Sequence, residues 1–449
     1  MSNRLRCWRW DVWFLCFALA SVALVSACGE EELVGPVDRG ITVAGKPSAP
    51  STGDPIVTAT VPNTAPQDTT LDVQVSGSGF DRGSRVDMAL DGIVSAKVKT
   101  NSTRFVNKTT LIANITIAVD ADPDLYDILV TTTKGKRGIG IELFEISYAM
   151  TELGTLPGDE ASDANNISET GEIVGGSGNS RPYRSRIFIW TNGLMQEVGS
   201  GVVRSASENR RVLGTEPASV WQEVGGAWQE TILPTLPGPM LSGANGISPD
   251  GTAIVGVTGG QAVVWREVAG NWTIESLPGG GIDINANGMI VDAGGVWTKE
   301  FGTWTFHALT PLSGGTNILA WTINDHGDVV GRDEDGTGVM RAILWRKTPT
   351  GWAAPEYLGS LGGGSSATAI NNAGHVVGYS EVPGESHDDL RHQHAFLWTP
   401  LDGMVDLGSR DTDSIAWDIN DLGQIVGASR KAAGGNFSGA FTAVLWELQ

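Results

Sequence analysis

Between residues 70 and 146, apolar side chains occupy every second position in four short runs: 70–75 (TLDVQV), 111–119 (LIANITIAV), 126–132 (YDILVTT) and 139–146 (IGIELFEI). A period of two is the signature of a half-buried strand, not of a helix. Turn-forming clusters separate the runs: Ser76-Gly77-Ser78-Gly79, Asp81-Arg82-Gly83 and Asp122-Pro123-Asp124. About 90 residues carrying six or seven such strands is the count of a β-sandwich.

From residue 148 onward the pattern repeats. A turn of the form I-N/S-x-x-G recurs from Ile167, Ile247, Ile284, Ile323, Ile370 and Ile419, with a degraded copy over 206–210. Asn or Ser opens such a turn because its side chain bonds a nearby backbone N–H, and Gly closes it because it accepts positive φ. A short strand usually ending in glycine follows each turn: IVG, VLG, IVG, IVD, VVG, VVG and IVG. Next comes a strand ending in tryptophan, at Trp190, Trp221, Trp265, Trp297, Trp345, Trp398 and Trp446. The seven are spaced about 43 residues apart on average, and an outer segment such as 404–408 supplies a fourth strand. Four strands in about 43 residues are the values of a propeller blade.

Two resemblances follow from these residues. Val75 to Phe80, then Gly83 to Val86, then Tyr126-Asp127-Ile128-Leu129-Val130 are similar to the G-x-G-F turn and late Y-D-I-x-V strand of IPT/TIG-type immunoglobulin-like domains. The repeats resemble the HAF repeats of extracellular bacterial proteins, whose tripeptide stands here as His394-Ala395-Phe396. The other copies replace that histidine, so no repeated histidine chemistry is implied. The first resemblance implies a spacer or adhesive module and the second is nearly silent on activity. Together they predict an all-β chain: a small Ig-like β-sandwich over 55–147, followed by a seven-bladed β-propeller over 148–449. The segment Met150 to Gly154 matches Met404 to Gly408, so a strand at 149–154 is expected to close the last blade and leave no exposed edge.

Composition fits a chain of strands and tight turns: 60 of 449 residues are glycine and only 18% are charged. The 51 acidic and 30 basic side chains leave a net charge of -21, which argues against nucleic acid as a partner because phosphates meet no basic surface. Arg4, Arg6 and Arg9 precede an apolar run of residues 12–25, interrupted only by the acidic Asp11 ahead of it. That run is too short to span a bilayer, which needs about 20 residues, and has the proportions of a signal peptide over 1–27. Val25-Ser26-Ala27-Cys28 resembles the bacterial lipobox, which implies a lipid on Cys28 and anchoring to a membrane. Gly29 after the cysteine, rather than Asp, points within that resemblance to the outer membrane, on its periplasmic or its exposed side. The other cysteines, Cys7 and Cys16, lie in the export segment, so the processed chain holds no internal disulfide. Residues 28–54 are acidic and rich in proline and glycine, with too little apolar surface to fold, and read as a tether.

Candidate chemistry is sparse. His387, Asp388, Asp389 and His392 share the longest insertion and could hold Zn²⁺ or another divalent ion, although a solvated polar loop is the plainer account. Asp333 and Asp335 could offer hard oxygens to Ca²⁺, or simply form an acidic hairpin tip. Trp228, Trp272, Trp304 and Trp352 follow their landmark tryptophans by seven residues and are candidates for stacking on sugar, against simple strand packing. The seven landmark tryptophans themselves read as inter-blade core. No G-x-S-x-G, H-E-x-x-H or P-loop motif is present, and no catalytic residue is assigned. The expected function is non-catalytic recognition of an extracellular glycan or protein through propeller loops. A propeller hydrolase or lyase acting on extracellular polysaccharide, and a surface scaffold without a dedicated ligand, are the alternatives. Oligomeric state is not legible.

Overall fold

The computed structural model describes residues 53–119, 121–179, 186–215, 217–238, 242–383, 392–410, 412–430 and 440–447. Among them the chain is all-β: every regular element is a strand, and no helix is long and apolar enough to cross a membrane. The signal peptide, Cys28 and nearly all of the tether lie outside the described residues.

The first group of strands makes two sheets. Ile56–Val61, Thr69–Ser78, Thr110–Ile117 and Val98–Asn107 form one. Thr64–Pro66, Arg137–Ser147, Leu125–Thr131, Arg85–Leu90 and Ile93–Val94 form the other. Alternation along Thr110–Ile117 sends Leu111, Ala113, Ile115 and Ile117 inward, where they meet Val86, Met88, Tyr126, Ile128, Val130 and Phe144 of the second sheet in one core. Phe80 is buried in that core. Gly79 takes the left-handed turn, at φ 78°. Gly77 does something else: it lies within Thr69–Ser78 opposite Val57, and a Cβ there would sit 1.9 Å from the Ile56 carbonyl oxygen. Its glycine is needed for close approach.

The remainder forms seven four-stranded antiparallel sheets and one small hairpin. The first sheet covers 161–199, the second 203–232, the third 243–276, the fourth 283–308, the fifth 315–357, the sixth 365–406 and the seventh 414–447. Met150–Gly154 joins the seventh as its outer strand, with Met150 opposite Trp446 and Thr151 opposite Leu445. In all seven the landmark tryptophan faces the first residue of the I-V-G strand: Ile173, Val212, Ile254, Ile290, Val329, Val376 and Ile425. The repeated text is therefore a repeated register. At the end of the motif, a Cβ on Gly378 would lie 2.1 Å from the Ser366 carbonyl oxygen of the sheet's first strand. The fourth sheet tolerates Asp292 at this place because its first strand, Asp283–Ile284, is only two residues long. Asp292 instead accepts from the Gly280 N–H and the Trp297 indole.

One difference from the sequence pattern concerns Trp352. It lies on the small Lys347–Thr348/Gly351–Trp352 hairpin, and the fourth strand of the fifth sheet is Glu356–Tyr357. An inserted hairpin reproduces the seven-residue spacing without reproducing the strand.

Candidate functional site

The I-N-x-x-G turns build one face of the repeat array. In the fifth sheet Asn324 closes its own turn, its carbonyl accepting from Gly327 N–H and its Oδ1 from Asp328 N–H at 2.9 Å. That leaves its Nδ2 free to reach outward, and it donates to the carbonyl of Asn371 in the next sheet at 3.0 Å. Asn285 donates likewise to Asn324 at 2.9 Å, Asn371 to Asn420 and Asn420 to Ser168, both at 3.0 Å. All four asparagines are buried. Buried amides must be satisfied, and here the motif residue itself does so across the joint. The serine copies accept the same turn bond, as Glu172 N–H gives to Ser168 Oγ at 3.1 Å, but a hydroxymethyl group is too short to bridge.

A second relay uses the following residue. Its backbone N–H donates to the side chain of its counterpart one sheet on: Ala286 to Asp325, Asp325 to Asn372, Asn372 to Asp421, Asp421 to Glu169 and Glu169 to Glu208. Glu208 N–H then meets the Pro249 carbonyl at 2.9 Å. Burial pushes the Glu169 carboxyl up; the Asp421 N–H pulls the other way, and Asp421, Glu208 and Asp325 add repulsion. Burial also raises Glu208.

Deeper in, Asp418 accepts from Asn166 Nδ2 at 2.6 Å and from Ile167 N–H at 2.9 Å, and Asp283 accepts from Ile323 N–H at 3.2 Å. Burial pushes Asp418 up to about 7 and Asp283 up to about 6, against the pull of these N–H groups.

The asparagine relay lapses after Ser168, where serine replaces asparagine in three successive turns, and the second relay runs on through Glu208 to the Pro249 carbonyl. At the joint between the third and fourth sheets both are missing. Pro249 has no N–H to give, Ala286 has no acceptor to offer, and Ser248 stands where an asparagine would reach across. A cleft of about 490 Å³ opens there, bordered by Ser248, Asp250, Arg266, Asn287, Lys299 and Glu300. The same joint is held elsewhere, by Asn245 Nδ2 on the Gly281 carbonyl at 2.8 Å and by the Trp304 indole on Glu275 at 3.0 Å. The opening is thus confined to the turn face. The volume lies in the range of small-ligand sites, roughly 300–1,000 Å³. These residues were missed by motif reading, although Pro249 and Ala286 are visible as the two odd residues once the turns are aligned.

The residues singled out by the sequence lie elsewhere. His387, Asp388 and Asp389 fall outside the described residues. His392 Nδ1 is 3.5 Å from Asp413, which also pairs with Arg430 at 3.2 Å. Asp333 is buried with both oxygens on Arg341, at 2.8 and 2.9 Å. Asp335 caps its hairpin by accepting from Thr337 N–H, Thr337 Oγ1 and Val339 N–H, and the Thr337 hydroxyl foremost holds its carboxyl below the usual range. Both oxygens of Asp333 are thus held by the protein, a poor fit to Ca²⁺, whereas the bonds to Asp335 all fall on its Oδ1. Among the described residues no group of three His, Cys, Asp or Glu is placed to hold a metal ion.

Trp228, Trp272, Trp304 and Trp352 are half-buried, each with a cation over its ring: Arg210, Arg211, Lys299 and Lys347 at 5.8, 5.7, 5.2 and 4.3 Å from the centroid. In each ring one face is therefore shared with a cation. Of the landmark tryptophans, Trp265, Trp345, Trp398 and Trp446 are buried, each in a core shared with the preceding sheet. Trp190, Trp221 and Trp297 are half-buried. His394 Nδ1 lies 2.8 Å from Asp406. Burial pulls this imidazole down, but the bond and charge of Asp406, with Glu145 and Asp413, leave it raised.

No family model matches the chain. No curated protein matches it either. Among solved structures it is similar to the extracellular domain of a protein described as a one-component system from Bacteroides thetaiotaomicron, at 10% identity and a TM-score of 0.42, over 66% of this chain and 39% of that one. The chain therefore spans well under two thirds of that structure. It is also similar to an auxiliary nutrient binding protein from the same organism, at 10% identity and a TM-score of 0.31, over 91% of this chain and all of that one. At TM-scores below 0.5 neither likeness carries fold or function to this chain.

Proposed function

We propose that this is an exported, lipid-anchored recognition protein that binds an extracellular glycan or protein through the turn face of a closed seven-bladed β-propeller. In this reading residues 1–27 are a signal peptide, Cys28 carries the lipid at the outer membrane and 28–54 is the tether. Residues 55–147 are an Ig-like sandwich of IPT/TIG type and 148–449 the HAF-repeat propeller. Support for closure comes from hydrogen bonds that join the seventh sheet to the first, Asn420 to Ser168 and Ala443 N–H to Ser162 Oγ, together with the Met150–Gly154 strand. A closed array needs no capping repeats.

The observation that carries the binding reading is the cleft at the one turn-face joint where both relays are interrupted. Binding is favoured over hydrolysis by the state of Asp250. Burial alone would raise Asp250, but bonds from Ser248 and Thr252 outweigh it and hold the group low, the wrong direction for a general acid.

The test is a screen of the full chain in detergent against glycan and protein arrays, with calcium and with chelator. Saturable binding that is lost on filling the cleft, as in Ser248→Trp, is expected. Saturable binding that survives this change would move the site elsewhere, and silence on every array would leave the scaffold reading. Cys28→Ala is expected to release the chain from the membrane fraction.

A further inference from the structure

Four of the seven sheets join their third and fourth strands by a two-residue tip in which both residues are left-handed. The tips are Asn192-Gly193 (φ 51° and 83°), Gly225-Gly226 (64° and 83°), Ala269-Gly270 (52° and 77°) and Phe301-Gly302 (49° and 85°). This is the hairpin turn whose twist matches that of the strands, and its first position suits Asn, Asp or Gly. Three sheets put Asn, Gly or Ala there. The fourth puts a phenylalanine, for which positive φ is an outlier that costs stability. Its ring is also fully exposed, at 106% of the reference surface, so the fold gains nothing from it in return. Phe301 directly follows Glu300, which borders the cleft.

The polar lining is balanced. Lys299 is tied to Glu275 and Asp250 to Ser248 and Thr252. Arg266 and Glu300, also at the border, make no side-chain hydrogen bond or ion pair among the described residues. Two positive and two negative groups leave the cleft neutral in a chain of net charge -21. An anion entering would meet Asp250 and Glu300, and a cation would meet Arg266 and Lys299. An uncharged molecule bearing hydroxyls can use both signs at once: a guanidinium gives it donors and a carboxylate gives it acceptors, and the exposed ring of Phe301, at the tip next to Glu300, offers a surface for its C–H groups.

We infer that the cleft is a binding site for an uncharged saccharide, with Phe301 as the stacking platform and Arg266 and Glu300 as the pair that reads its hydroxyls. This rests on the recognition reading above and narrows it to a ligand class and a place.

The experiment is calorimetric titration of the full chain in detergent with neutral cello-, manno- and chito-oligosaccharides, beside oligogalacturonate and chitosan oligomers as charged counterparts. At least one neutral oligosaccharide is expected to bind saturably. Phe301→Asn should weaken it about tenfold or more while raising the melting temperature, because Asn is at home in the conformation that Asn192 already adopts at the equivalent tip. A fall in affinity with a rise in stability separates loss of a ligand contact from damage to the fold. Arg266→Met and Glu300→Gln should each weaken binding as well. Unchanged affinity in Phe301→Asn overturns the platform, and binding only of charged oligomers overturns the ligand class. If no neutral saccharide binds but the arrays yield a protein or charged glycan, this inference fails while the broader recognition reading stands.

Discussion

The side-chain amide of Asn371 lies 3.0 Å from the backbone carbonyl of Asn420, a residue 49 positions later in the chain and one sheet further round the array. Its own Oδ1 meanwhile accepts from His375 N–H at 2.9 Å. One short side chain thus closes a turn and fastens a joint. Asn371→Ser keeps the first bond, as Ser168 and Ser248 do, and should cost about 1 kcal/mol. Asn371→Ala loses both in a buried place and should cost about 2–3 kcal/mol. Denaturant midpoints of the two variants check this ordering; equal midpoints would remove the relay from the stability argument.

The buried carboxyls predict a pH dependence. Asp418 and Asp283 are raised in the folded chain, to about 7 and about 6, so the folded state holds protons that the unfolded state has released. Their contribution is fully present below the ordinary carboxylate range near pH 4 and is lost as pH rises toward 7. Glu169 and Glu208 act in the same direction. The lowered carboxyls Asp81 and Asp335 act in the opposite one, with stability lost only as pH falls below their usual range. Asp418→Asn imitates the protonated group and should flatten the decline in melting temperature between pH 4.5 and pH 7. A decline as steep as that of the wild type would place its origin in other groups.

Asp333 has a fully buried side chain and its partner Arg341 is mostly covered. Asp333→Ala strands the guanidinium and should cost about 3 kcal/mol or more, whereas Asp333→Leu combined with Arg341→Met should recover much of it. Thermal melts of the single and double variants decide this. A calcium role for Asp333 would show instead as a melting temperature of the wild type that falls with chelator.

Trp345 is fully buried, and its indole donates to the Thr310 carbonyl at 2.7 Å. Trp345→Ala should cost about 3–5 kcal/mol, more than Trp297→Ala, whose ring is only half-buried. If the two proved equal in a denaturant titration, the seven register positions would be interchangeable despite their different burial.

Much of the architecture could be read from the chain because it repeats. Period-two alternation located the strands at 111–119 and 126–132, which the structure places at Thr110–Ile117 and Leu125–Thr131. Seven copies of one register made Trp190 through Trp446 a common landmark even where the turn had degraded at 206–210. The site was harder, because its evidence is a set of exceptions. Pro249, Ala286 and Phe301 matter for what they fail to share with their counterparts, and a search for familiar motifs passes over them. Asp333 misled for a related reason: its carboxylate is as visible in the sequence as a metal ligand, while the Arg341 that consumes it is eight residues away across a hairpin. Trp352 shows the same limit, since equal spacing does not guarantee an equal strand.

Met150 and Trp446 face each other in one sheet with 295 residues between them. During synthesis the strand at 150–154 emerges early and its partner only after six complete sheets have followed. Until then the first-made strand has no neighbour to pair with, and the array carries two unpaired edges that could recruit other chains. Pairings so distant in sequence form slowly. If the proposed export holds, the chain should therefore depend on holdase chaperones at its destination until the strand that ends at Glu447 has paired.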